Sequence, residues 1–143
     1  MEKNYLNPHL SEQMIQSISS AGLAHVGDAV FELLVRTWLC EHGKATGQRL
    51  HQAAIRIVCA PSQAERVRKI DSLFTEEERA VFRRGRNSHP RTIPEHATRA
   101  QYHEATALEA LFGWLYLSGQ TARINELFLL MMDEPDNPVT TSP

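Results

Sequence analysis

The chain has 143 residues, the length of one domain and enough to bury a sizeable core. Its 42% apolar and 22% charged content exclude a wholly disordered chain, a collagen and a disulfide scaffold. The net charge of −2 conceals an asymmetry. Residues 36–103 hold thirteen of the fifteen Lys and Arg against seven of the seventeen acids, a local +6, and the flanks sum to −8. A basic middle in a mildly acidic chain points to an anion-binding face.

Twelve of the fifteen bases are Arg, the residue suited to bidentate phosphate contacts, and Arg83, Arg84, Arg86 and Arg91 fall within nine residues. The two cysteines, Cys40 and Cys59, form no CxxC pair, so a structural zinc site built on thiolates is excluded. Both sit in apolar stretches and read as reduced core thiols. No stretch comes near the ~20 apolar residues of a membrane span. Met1 to Leu10 carries no apolar signal segment. The expected address is the cytoplasm, with no membrane partner.

The first predicted element is a short helix from a Ser11 cap through Ile18. A long helix follows, opened by Ser19 or Ser20 and stopped at Gly43. Its apolar positions Leu23, Val26, Val30, Leu33, Leu34 and Trp38 recur at three and four and are expected to face the core. Phe31, Val35 and Leu39 lie off that stripe, as do Trp114 and Tyr116 later in the chain, and are expected to cover a two-fold partner. Gln48 to Cys59 repeats the helical pattern until Pro61 breaks it. Ser62 to Phe74 reads as the next helix. Thr75 and Glu78 have capping-box spacing, and their helix runs to about Arg86. Asn87 to Thr98, with two prolines, reads as a long loop. Arg99 to Leu117 and Thr121 to Met132 are the last two helices, Gly119 lying between them. The fold class is all-α, with residues 1–132 as the domain and 133–143 as an unstructured tail.

Two carboxylates stand out. Asp28 lies in the middle of an apolar helix, where Asp is a poor residue and a buried charge needs a partner or a cation. An ion pair with Arg36 or another base across the core is the alternative, and spacing does not choose between them. Glu109 repeats the pattern, flanked by apolar residues, with Tyr102, Thr106 and Gly113 on its stripe. Each carboxylate has a glycine nearby, so the two helices can meet across a groove. Oxygen-only ligation of that kind suits Mg²⁺. His25, three residues before Asp28, reaches the same site or is a packing residue.

Three segments carry a family resemblance. "LAHVGDAVFELLVR" resembles the signature helix of the ribonuclease III nuclease domain, and "ATALEALFGWLYL" its second catalytic helix. "FRRGRN" is similar to the arginine-rich segment of the short bacterial branch, Mini-ribonuclease III. The resemblance covers Leu10 to Met132 and implies about seven helices. It also implies a homodimer that cleaves double-stranded RNA with Mg²⁺, or Mn²⁺ as a substitute, leaving 5′-phosphates. Maturation of the ends of large-subunit (23S) ribosomal RNA precursors is the implied role.

Carried over by residue, Asp28 and Glu109 match the catalytic, metal-binding carboxylates. Arg83, Arg84, Arg86 and Arg91 become RNA contacts, with Asn87 shaping the loop, and His25 and Thr106 stand beside the carboxylates. Ala24 and Thr106 replace two further acids of the longer enzymes, as in the short branch. His25 stands where a tyrosine is expected in that branch, and Pro61 where a basic residue is expected. Only a short tail follows Met132, so the double-stranded-RNA-binding domain of the longer enzymes is expected to be absent. The rival is a non-catalytic RNA-binding or ribosome-assembly module with the same fold.

Overall fold

The computed structural model describes residues 2–43, 47–88 and 97–133. Seven α-helices and one 3₁₀ turn are present among them, and no strand. They are α1 Glu12–Gln16, α2 Ser20–Glu41, α3 Gly47–Val58, α4 Ala60–Val67, α5 Glu76–Arg86, α6 Arg99–Leu117 and α7 Thr121–Met131. The 3₁₀ turn is Asp71–Leu73. Most starts are written in the sequence. Ser11, Ser19, Thr75 and Thr98 each accept a backbone N–H from the first turn, and Thr75–Glu78 and Thr98–Gln101 close capping boxes. Gly43 and Gly119 take positive φ, 84° and 80°, just past α2 and α6.

One expected helix is two elements. Ser62 to Phe74 divides into the end of α4 and the 3₁₀ turn. Pro61 sits in the first turn of α4, where its missing N–H costs nothing, so it opens that helix as well as closing α3.

The antiparallel pair α2 and α6 forms the centre, with α3 against α2, and α4 and α5 against α6. Gly27 and Gly113 set its spacing. A Cβ on Gly27 would overlap the Glu109 carbonyl, and one on Gly113 the Leu23 carbonyl, so only glycine lets the backbones come this close. Around them lies a core of Leu108, Leu111, Leu115, Leu127 and Met131. Phe31 meets Phe112 and Phe128 edge-on, with ring centroids 5.9 and 6.1 Å apart.

The buried face of α2 differs from the expected stripe. Leu23, Ala24, Gly27, Phe31, Val35 and Leu39 are buried, whereas Leu33 is 60% exposed. Val26, Val30, Leu34 and Trp38 are half-buried. Phe31, Val35 and Leu39 are therefore core residues, not a surface awaiting a partner. Trp114 and Tyr116 are half-buried. A helix apolar on nearly every side offers two stripes of similar period, and the small residues that admit α6 decide between them. Cys40 and Cys59 are exposed, which corrects their reading as core thiols.

A polar staple ties α5 to α7. Glu78, 2% exposed, receives Arg123 at 2.8 Å, and Arg123 also donates to the Leu73 carbonyl. Burial pushes the Glu78 carboxyl up, but hydrogen bonds from Arg123 and Thr75 and the Arg123 charge outweigh it and hold it below the usual range. The expected tail lies outside the described residues apart from Asp133, as does the centre of the expected loop, residues 89–96. No helix among the described residues is long and apolar enough to cross a membrane.

Candidate active site

The close crossing of α2 and α6 brings the two singled-out carboxylates together. Asp28 follows Gly27, whose backbone lies against that of Glu109, and the two carboxyls are close enough to act on each other. Asp28 is exposed, contrary to the expectation of burial, and Glu109 is half-buried. The site is thus at the rim of the α2–α6 contact, open on the Asp28 side. The alternative pairing of Asp28 with Arg36 is not what forms: Arg36 turns one helical step back to Glu32, at 3.4 Å.

The pair is electrostatically tense. Burial is the largest effect on Glu109, and the Asp28 hydrogen bond and charge and the Glu32 charge add to it. A hydrogen bond from Gln63 opposes them, and the carboxyl is pushed up to about 9. At neutral pH the metal-free pair keeps a proton on Glu109, because burial first, and the neighbouring Asp28 carboxyl second, disfavour its charged form. A cation placed between them removes that repulsion.

Among the described residues, no group of three or more His, Cys, Asp and Glu side chains converges to hold a metal. Two carboxylates nonetheless fit a hard cation that keeps much of its water and takes further oxygens from phosphate. His25 is exposed one turn before Asp28, and Thr106 is half-buried one turn before Glu109.

Sequence reasoning missed two residues here. Glu32 adds a third carboxyl group one turn beyond Asp28, and its charge acts on Glu109. Gln63, on α4, is 2% exposed and acts on the Glu109 carboxyl. Its signal was present: Gln63 lies with Ala60, Ala64 and Val67 at helical spacing, a polar residue on the face that α4 buries.

The arginines sit one helix away. Gly85 brings the last turn of α5 against Thr106, Ala107 and Ala110 of α6, beside the Glu109 segment. Arg83, Arg84 and Arg86 are all exposed, but they diverge. Arg83 and Arg86 line a hollow of about 200 Å³ with Asp71, Arg79 and Glu104, where Arg86 pairs with Glu104 at 3.4 Å. Arg84 lines a separate hollow of about 530 Å³ with Glu77, Leu23 and Trp114. Asn87 caps α5 and is exposed. Arg91 lies outside the described residues.

Residues 21–120 match the family of the ribonuclease III domain. The helical domain described above is thus of the ribonuclease III class. The chain is 34% identical over 134 residues to the Mini-ribonuclease 3 of Clostridium tetani, covering 93% of this chain and 89% of that protein. It is 40% identical over 111 residues to that of Symbiobacterium thermophilum, covering 78% and 85%. A crystal structure of a Fusobacterium nucleatum protein superposes with a TM-score of 0.76 at 31% identity, covering 83% of this chain and 91% of that one. The chain belongs to the Mini-ribonuclease 3 branch of the ribonuclease III family.

Proposed function

We propose that this protein hydrolyses double-stranded RNA in a Mg²⁺-dependent reaction at Asp28 and Glu109, as a cytoplasmic homodimer that matures the ends of large-subunit ribosomal RNA precursors. The observation that carries the site is the contact of the two carboxyls at an open rim, with Glu109 pushed up to about 9. Asp28 and Glu109 would hold the cation, with Mn²⁺ as a substitute. When bound, Mg²⁺ polarises the scissile phosphate and lowers the pKa of a water, giving a 5′-phosphate product.

The chain's own groups do the rest. Glu109 releases its proton as the cation is taken up. Asp28, exposed, leaves room for the phosphate on its side of the pair. His25 and Thr106 flank the carboxylates without being needed as bases. Arg83 and Arg86 face outward beside the Glu109 helix and grip backbone phosphates, with Asn87 at the turn; Arg84 and Arg91 are further phosphate contacts. A-form RNA is read through shape, phosphates and 2′-hydroxyls, which such a surface suits.

The partner surface moves with the corrected face of α2. Leu33, 60% exposed, continues the half-buried Val26 and Val30 beside Asp28. A two-fold contact there brings two sites to one duplex, one for each strand.

The test is incubation of long double-stranded RNA with the protein and with Asp28→Asn, with and without Mg²⁺. The parent is expected to cut only with the metal. Asp28→Asn is expected to fold and bind RNA but lose about 100-fold or more in rate, since a ligand charge is worth several kcal/mol here. RNA binding by the parent with no cleavage in Mg²⁺ or Mn²⁺ would instead make the protein a non-catalytic module.

A further inference from the structure

Gln63 is the most buried polar side chain near the site, and the cleavage chemistry has given it no role. It stands in the second turn of α4, on the face packed toward α6. Its amide nitrogen donates to the carbonyl of Val58, the last residue of α3, at 2.8 Å, and the Gln63 amide also acts on the Glu109 carboxyl, opposing the upward push of burial. Its carbonyl oxygen, Oε1, is buried with no hydrogen-bond partner among the described residues.

A purely architectural role accounts for half of this. The bond to Val58 satisfies a carbonyl at the end of α3 and pins the α3–α4 corner. That role needs one donor on a short arm. It does not need an amide that acts on a carboxylate of α6, nor a buried acceptor left without a donor, which works against folding. The amide is anchored to rigid backbone through its nitrogen and acts on Glu109 from that fixed position. The free acceptor beside it suits the waters that a hydrated divalent cation retains.

We propose that Gln63 is the positioning residue of the cation site, holding Glu109 against the fixed Val58 carbonyl so that it and Asp28 present their oxygens together. The inference rests on the reading of Asp28 and Glu109 as cation ligands. Hydrogen-bonded supports of ligating carboxylates typically change metal affinity or activity by 10–100-fold when removed.

The experiment titrates Mn²⁺ into RNA-free protein, following free Mn²⁺ by electron paramagnetic resonance at one fixed pH. The parent, Asp28→Asn, Gln63→Leu and Gln63→Met are compared, with circular dichroism to establish folding. Met keeps the length and lack of branching of Gln, so it stands in if Leu fails to pack. The folded Gln63 variant is expected to bind Mn²⁺ about 10-fold more weakly than the parent. In cleavage assays below metal saturation its kcat should fall while its KM for RNA stays put. Mn²⁺ affinity within twofold of the parent overturns the proposal, and with a lowered melting temperature it makes Gln63 a corner staple only. If the parent itself binds Mn²⁺ no better than Asp28→Asn, the reading of the carboxylate pair as the cation site fails, and the role of Gln63 falls with it.

Discussion

Glu109 couples the chemistry of the site to the stability of the fold. Its folded value near 9 lies above the usual carboxylate range, so the unfolded chain ionises first as pH rises. Stability from this group is present below the ordinary value of 4.5 and is lost as pH rises from there toward 9. The metal-free protein is therefore expected to melt higher at pH 5.5 than at pH 8, the difference reaching about 2 kcal/mol for this half-buried, coupled group. Glu109→Gln should flatten that dependence and raise the melting temperature at pH 8, while abolishing cleavage. Calorimetry without metal at the two pH values checks it, and a parent melting curve that does not move between them would refute it. Added Mg²⁺ should reverse the slope, because binding expels the proton and strengthens as pH rises. Asp28 and Glu109 were legible in the sequence as acids in the wrong surroundings. Their contact was not, nor was the exposure of Asp28, because burial is decided by which way α2 is rotated.

At the scale of elements, the Gly27–Gly113 crossing carries the site. The sequence shows two glycines inside two apolar helices, each costing roughly 1 kcal/mol relative to Ala in isolation. The return is the close approach that puts Asp28 beside Glu109. Gly113→Ala places a methyl against the Leu23 carbonyl, which is backbone and cannot step aside. It is expected to destabilise by about 3 kcal/mol and to weaken metal binding by separating the carboxylates. Urea unfolding and a Mn²⁺ titration measure the two effects, and a variant as stable as the parent would mean that the helices are not held at this spacing. Helix starts were readable because a cap is a local interaction among a few neighbouring residues. The α4 boundary was misread for an equally local reason: a proline near a helix start and one just past a helix end look alike in sequence.

At the scale of the molecule, the arginines of the basic middle divide between two separate surfaces. Arg83 and Arg86 flank one hollow and Arg84 another, on opposite sides of α5. Arg83→Ala with Arg86→Ala, in an Asp28→Asn background, should lower RNA affinity and flatten its salt dependence by about two counterions. Arg84→Ala should change both less. Equal effects from all three would mean that RNA wraps both sides of α5. Assembly is tested separately by Leu33→Glu, which places a charge on the apolar face of α2 beside the site. The variant should sediment as a monomer and lose most cleavage while keeping its Mn²⁺ affinity. A fully active monomer would defeat the dimer.

The sequence alone determined the helical class, the caps, the two unusual acids and the family that their order and spacing resemble. All of these depend on neighbours along the chain, or on patterns of a few helical turns. Only the tertiary structure decided which stripe of α2 is buried, that Phe31, Val35 and Leu39 are core while Leu33 is not, and that the arginines part to two sides. It also decided that Gln63 is buried where its amide acts on Glu109. A helix apolar on most of its circumference has several acceptable orientations. The choice among them is made by the packing of residues some eighty positions apart, at the place where two glycines let the backbones of α2 and α6 come together.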